Sequence, residues 1–599
     1  MANVLSTTER ALLEQQVATK KLHPYQPIWR ARLWADRKTR RNLGVEDAEE
    51  ALTVEDSDDE LEGDEGWRKP YKPGPRGLEG PGGGRQRVGG LFREARGTTA
   101  QVPGLFPWII GSGPPKVGPP IGRDLELGMP VCYDATNWMV RGGFITAPIT
   151  LVMALNGFGK SSLVRRMATN SIGQKITVLI LGDPKPDYLS LCELMGGQSA
   201  TVGYGHQRFN PLDPGALGTV LQRIGAAAEA ESAHSDRRVM LEEKYRSVEA
   251  DMRGRQVVTC AGLVELVRGA KIDDFETTLM ATGIGLLYAE HGFNVDNPPI
   301  IEDLLSLIIQ GHPLLYADAG LDAPMNWADA PLGERDREAE AEQGEVRREY
   351  ERSIQPLRRS LNALVRGEFG EVFNSRERNV RLDLDAPIID VDISRIPQSE
   401  KKLRGAVLLA GWAEGLAAVE GAHMLADVGL ASKRTFHVII EEMWQVISLG
   451  EAMVDRVNEM TRLNRGIGTE LTMITHSVGD GDTLGSESAR ATARGIFERC
   501  RVKIIGPIPE GEVERLRKIV RLSDSEAKKV TSWATPEALT GEPARPGEKA
   551  PPPPGMGKFL LKVGEGAGPG IPFQTMFTDA EAASGMHDTN ARFDQINAA

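Results

Sequence analysis

Cysteine is scarce in this chain of 599 residues. Cys132, Cys192, Cys260 and Cys500 lie far apart with no C-x-x-C pair, which excludes a disulfide frame and a thiolate metal site and suits the reduced, mostly buried thiols of an intracellular protein. Aromatics are sparse too. No apolar run approaches the roughly twenty residues of a membrane span. The first ten residues, M-A-N-V-L-S-T-T-E-R, lack the basic and apolar regions of a signal peptide. Any membrane association is therefore expected through a partner or a surface patch. Positive charge is in deficit, 71 Lys and Arg against 84 Asp and Glu, a net −13. That balance argues against a protein coated in nucleic acid and leaves room only for a local basic channel.

What is present is unevenly distributed. Residues 17–41 are rich in Lys and Arg with Trp29 and Trp34 interleaved, residues 46–65 are strongly acidic, and residues 66–97 are rich in Gly, Pro and Arg. Such blocks bury too little apolar surface to offset chain entropy, so residues 1–101 are expected to be a charged, largely disordered tail with one short helix. The basic, Trp-containing piece reads as a solvated arm in the first instance and as a dock for an anionic surface or partner in the second.

The sharpest local signal is I-T-L-V-M-A-L-N-G-F-G-K-S-S-L-V-R, Ile149 to Arg165. An apolar strand breaks into a glycine loop and resumes as a helix, the layout of a phosphate-binding loop. The pattern G-x-x-x-x-G-K-[ST] is met except at its first glycine, where Ala154 stands. Asn156, Gly157, Phe158 and Gly159 form the turn. Lys160 is placed to neutralise the β and γ phosphates and the Ser161 hydroxyl to sit on Mg2+, and the helix starting near Ser161, with Ser162 also counted among the nucleotide-binding residues, presents free amides to the anion. ATP and Mg2+ are the expected ligands.

A second signal is T-F-H-V-I-I-E-E-M-W, Thr435 to Trp444. An apolar strand ending in two acids delivers carboxylates to the carboxyl edge of a sheet, where nucleotides bind in open α/β folds. Alone, Glu441 and Glu442 read equally as a solvated strand end; with a phosphate loop upstream they read as a magnesium-holding acid and a water-polarising acid. In L-T-M-I-T-H-S, Leu471 to Ser477, the strand ends at His476, read either as a γ-phosphate sensor or as a satisfied surface residue. Arg462 and Arg465, in T-R-L-N-R-G-I-G, are candidates for an arginine supplied to a neighbouring subunit, or else helix-end charges.

Strand patterns at 175–181, 386–393, 435–440 and 471–475 alternate with helices, as in a parallel sheet covered on both faces. Residues 215–375 read as a helical insertion, with 241–252, 301–309 and 346–365 as its clearest helices and the acidic stretch 334–342 as an exposed linker. The expected organisation is α/β: a core with the phosphate loop from 102–214 and 376–599, interrupted by that insertion.

At this level of detail the chain resembles the conjugative-transfer ATPases of type IV secretion systems, the TraC-like branch of the HerA/FtsK superfamily of RecA-like motors, over about residues 122–572. L-G-D-P-K-P-D-Y-L-S-L-C-E-L-M-G-G-Q (181–198), F-N-P-L (209–212), R-G-E-F-G (366–370), E-E-M-W (441–444) and L-K-V-G-E-G-A-G-P-G-I-P (561–572) are similar to family segments. Glu441 stands where relatives usually have Asp. His476 stands where many have Gln, as in an actinobacterial-type branch. The resemblance implies an ATP-hydrolysing ring, a hexamer, on the cytoplasmic side of the cell membrane, engaging type IV secretion channel proteins, with DNA as a further possible partner. Relatives usually carry a folded N-terminal docking domain; here that task is expected to fall to a separate protein or to the tail. Outside that reading stand a DNA translocase or coupling ATPase of the same superfamily and a nucleotide-stabilised scaffold.

Overall fold

The computed structural model describes residues 113–587 apart from 233, 323–336, 442, 450–453, 455–457, 459–467, 477–486, 535–552, 565 and 567. The charged segment 1–101 lies outside the described residues.

Eleven strands form one sheet: β1 (Pro120–Asp124), β2 (Pro130–Cys132), β3 (Ile149–Met153), β4 (Thr177–Asp183), β5 (Gln198–Thr201), β6 (Ile388–Asp392), β7 (Phe436–Ile440), β8 (Thr469–Thr475), β9 (Val502–Ile505), β10 (Lys558–Val563) and β11 (Ile571–Thr575). Their order is β2-β1-β11-β10-β9-β3-β8-β7-β4-β6-β5. From β9 to β5 every neighbouring pair is parallel, whereas β10, β11, β1 and β2 add an antiparallel flank. Apart from β5, the half-buried edge strand, the parallel strands are short and buried along their whole length, which is why most of them read as apolar runs. Their side chains alternate between two cores: Leu151, Leu179, Val438 and Met473 face one, Val152, Ile180, Ile439 and Ile474 the other.

Helices α1 (Ala135–Val140), α2 (Lys160–Gly173) and α3 (Leu189–Met195) supply residues to the second core, among them Trp138, Leu163, Met167 and Leu191. The first core continues into the helical segment between β5 and β6, beginning with α4 (Gly215–Ala230) and α5 (Asp236–Arg268), and into α6 (Lys401–Asp427), which follows β6. Glu414 of α6 accepts a hydrogen bond from the Ala216 amide in the first turn of α4 at 2.7 Å. The insertion is thus fastened to the core helix by its own free amides.

Two local expectations change. The acidic stretch 334–342 is not all linker, because a helix runs from Arg337 to Ser353; its alternation of Glu with Ala is good helix sequence. The expected helix 346–365 is divided at Ile354, and the next helix, Gln355–Val365, carries Pro356 in its first turn. Proline has no amide to continue the ladder, so the run is interrupted there and a new helix begins.

Beneath the sheet, on the α2 side, lies a buried polar network. His437 Nδ1 is 2.9 Å from Ser171 Oγ and its Nε2 is 2.8 Å from Thr472 Oγ1, with Glu470 Oε1 3.8 Å away. Burial pushes the His437 imidazole down to about 3. Burial, reinforced by Asp134, pushes the Glu470 carboxyl up to about 8. Unfolded His takes up a proton below about pH 6.5 that folded His437 refuses, so that contribution is complete above 6.5 and lost as the pH falls. Folded Glu470 keeps a proton that unfolded Glu releases above about pH 4.3, so its contribution is complete in acid and lost as the pH rises through 8. Glu470→Gln is therefore expected to flatten the alkaline limb. Between about pH 6 and 9 its melting temperature should fall less than that of the wild type, and an identical fall would assign the limb to other raised carboxyls such as Asp183 and Glu414, each near 7.

Candidate active site

Strand β3 delivers the loop 154–159 to the carboxyl edge of the sheet, and α2 starts directly at Lys160. Gly157 (φ 82°) and Gly159 (φ 89°) both adopt the left-handed region, where a side chain is strained. Ala154, by contrast, is not among the positive-φ residues, so its methyl costs no backbone strain. Space for it comes from Gly506 at the end of β9: a Cβ there would stand 2.6 Å from the Ala154 Cβ. Asn156 and Gly157 are exposed, while Phe158, Gly159, Ser161 and Ser162 are half-buried.

Lys160 is buried. Its ammonium donates to Ala154 O at 2.6 Å, Leu155 O at 3.1 Å and Asn156 Oδ1 at 3.3 Å, and lies 2.7 Å from His476 Nδ1. An ammonium can only donate, so His476 accepts at Nδ1 and carries its own proton on Nε2. Parallel pairing explains the meeting of residues so distant in sequence. β8 lies between β3 and β7, with Thr475 opposite Met153 and Met473 opposite Ile440. Ala154, His476 and Glu441 each follow the last residue of one of these three strands.

Glu441 is buried and accepts a 2.6 Å hydrogen bond from the Tyr188 hydroxyl. Tyr188, fully buried, is itself held by Asp183 at the end of β4, whose carboxylate accepts from the amides of Lys185 and Tyr188, each at 3.0 Å. Burial and the Glu441 charge push the Tyr188 phenol well above its ordinary range, so it remains a donor. Burial pushes Asp183 up to about 7, opposed by those two amides and assisted by Asp187 and Asp392. Tyr188 was not among the site residues anticipated from sequence; its signal lay in the D-P-K-P-D-Y turn after a strand, but nothing local announces a partner 253 residues away.

Glu442, Arg462 and Arg465 lie outside the described residues. Among the described residues no group of three or more His, Cys, Asp or Glu is arranged to hold a metal ion. Magnesium commonly keeps waters and phosphate oxygens and takes only one or two protein ligands, a demand that Ser161 and Glu441 fit. Among the described residues no helix is long and apolar enough to cross a membrane.

The solved structure of VirB4 of Thermoanaerobacter pseudethanolicus is similar to this chain with a TM-score of 0.52 and 15% sequence identity, covering 79% of this chain and 100% of that one. The chain has the VirB4 fold. The plasmid coupling protein TrwB in complex with ADP and Mg2+ is similar at a TM-score of 0.37 and 11% identity, covering 78% of this chain and 97% of that one. The scan against protein-family models found no match, and neither did the search of curated proteins. In this VirB4 fold the loop 154–159, His476 and Glu441 occupy one edge of the sheet, the carboxyl ends of adjacent parallel strands, where α/β folds place their ligands.

Proposed function

We propose that this protein is an ATP-hydrolysing motor that energises a type IV secretion or conjugative transfer channel, working as a homo-oligomeric ring, a hexamer, at the cytoplasmic face of the membrane through partner proteins. The observation that carries the proposal is the convergence of Lys160, His476 and Glu441 on one sheet edge.

Lys160 would leave its loop carbonyls to neutralise the β and γ phosphates. Its resting partners include two loop carbonyls, the Asn156 side-chain oxygen and His476, with which a triphosphate would compete. Ser161 and Glu441 would hold a magnesium ion, which supplies charge neutralisation when bound. Tyr188 keeps Glu441 aimed by donating to one carboxylate oxygen. Glu442 polarises the attacking water, and His476, 2.7 Å from the Lys160 ammonium, reports the γ phosphate back to it. Positioning and electrostatics of this kind supply most of the catalysis in phosphoryl transfer.

The test is turnover of the full chain with ATP and Mg2+, with and without DNA, across a salt series. Turnover indifferent to DNA is the result expected of a secretion motor. Strong, salt-sensitive stimulation would replace that reading with a DNA translocase, and absence of turnover in the assembled ring would leave a nucleotide-stabilised scaffold.

A further inference from the structure

On the antiparallel flank of the sheet a groove of about 350 Å³ is lined by Pro120, Gly122, Arg123, Arg166, Met576 and Phe577, among others. We infer that this groove seats the base and ribose of the nucleotide whose phosphates occupy the loop at 154–161, with Met576 and Phe577 as the apolar wall against the base. The inference rests on the nucleotide reading of the loop and goes beyond it, since no motif points to these residues.

Three observations converge. The first is position along α2. Arg166 follows Ser162 by four residues, one helical turn or about 6 Å of rise, so the groove begins where a nucleotide leaving the loop has its sugar and base.

The second is continuity. Phe158 O, at the apex of the loop, accepts from the Gly557 amide at 3.0 Å, and Gly557 O accepts from the Thr575 amide at 2.8 Å. The next two residues are Met576 and Phe577. The same hairpin therefore carries both the outer support of the loop and the wall of the groove.

The third is the chemistry of the wall. Met576 is 51% and Phe577 38% exposed, two adjacent large apolar side chains on the groove wall. Phe577 is nonetheless ordered by stacking on His587, ring centroids 3.9 Å apart and 26° between planes. A braced ring with an open remainder is a stacking platform. Arg166 adds a guanidinium bonded to Glu581 and Pro120 O, and its buried Nε has no hydrogen-bond partner. Ligand pockets of roughly 300–1,000 Å³, mostly apolar with a few polar groups, are the usual size and character.

Calorimetric titration of the full chain separates the two halves of the ligand. ATP, ADP and inorganic tripolyphosphate are titrated in Mg2+ into the wild type and into Met576→Ala, Phe577→Ala and Phe577→Leu, the last keeping apolar volume without an aromatic face. All three variants are expected to bind ATP and ADP about tenfold or more weakly, in line with the loss of base stacking, and to bind tripolyphosphate as the wild type does, with unchanged circular dichroism and sedimentation mass. Undiminished ATP affinity would overturn the groove assignment. So would an equal loss for tripolyphosphate, which would mean a distorted loop, or a change of ring size alone, which would mean a subunit contact. A wild type that binds neither ATP nor tripolyphosphate would instead overturn the phosphate-loop reading beneath it.

Discussion

Lys160→Ala is expected to abolish ATP turnover and most nucleotide binding while the fold persists. The lysine stands at the start of α2, and its ammonium bonds three loop oxygens and lies 2.7 Å from His476 Nδ1. Truncation removes the charge aimed at the developing phosphate oxygens, an effect on the order of a hundred- to a thousandfold for a single preorganised donor, and more here because binding is lost as well. Carbonyls of Ala154 and Leu155 lose a donor in the variant, but Asn156 and Gly157 open the loop to water, which can replace it. Far-ultraviolet circular dichroism should therefore match the wild type. A variant that turns over ATP near the wild-type rate would remove the loop from the mechanism.

How far such a site can be read from sequence depends on whether its parts are local. Strands β3, β4, β6, β7 and β8 were legible because a parallel strand buried on both faces is a short run of Ile, Val and Leu, and the loop because its glycines, lysine and serines are contiguous. The antiparallel flank was only partly legible. β1 and β2 appear as turn-rich pieces, and β11 enters the sheet through Ile571–Thr575, where Pro572 disguises a strand; its pairing with β1, more than 400 residues earlier, has no local trace. The helix that replaces the expected linker from Arg337 was hidden by composition, since a Glu-rich run describes a solvated helix as well as a coil.

The same distinction governs the site. His476 and Glu441 were visible as strand-end polar residues, but their partners were not: that His476 meets Lys160, or that Tyr188 supports Glu441, follows from strand order alone. Ala154 illustrates the reverse case. Sequence presents it as a departure from the pattern, whereas the backbone there needs no left-handed conformation and Gly506 leaves room for the methyl.

The second large effect expected is complementation between two dead proteins. Charge on the transferring phosphoryl group grows at three oxygens, and Lys160 is one cation. The arginines of α2 nearest the loop are already committed. Arg165 donates to the carbonyls of Asp187 and Met586, and Arg166 is paired with Glu581 and donates to Pro120 O. A further positive charge must then come from elsewhere, and a subunit interface of the proposed ring is the natural source, with Arg462 or Arg465 as donor. An arginine supplied in this way contributes about a thousandfold or more to turnover. Each arginine-to-alanine variant that removes the finger should be nearly inactive yet bind ATP normally, and specific activity of the wild type should rise with protein concentration as rings form. Mixing that variant with Lys160→Ala creates some interfaces at which an intact loop faces an intact arginine, so partial turnover returns. Full activity of both arginine variants alone, or inactivity of every mixture despite demonstrated co-assembly, would show that the charge is supplied within the subunit.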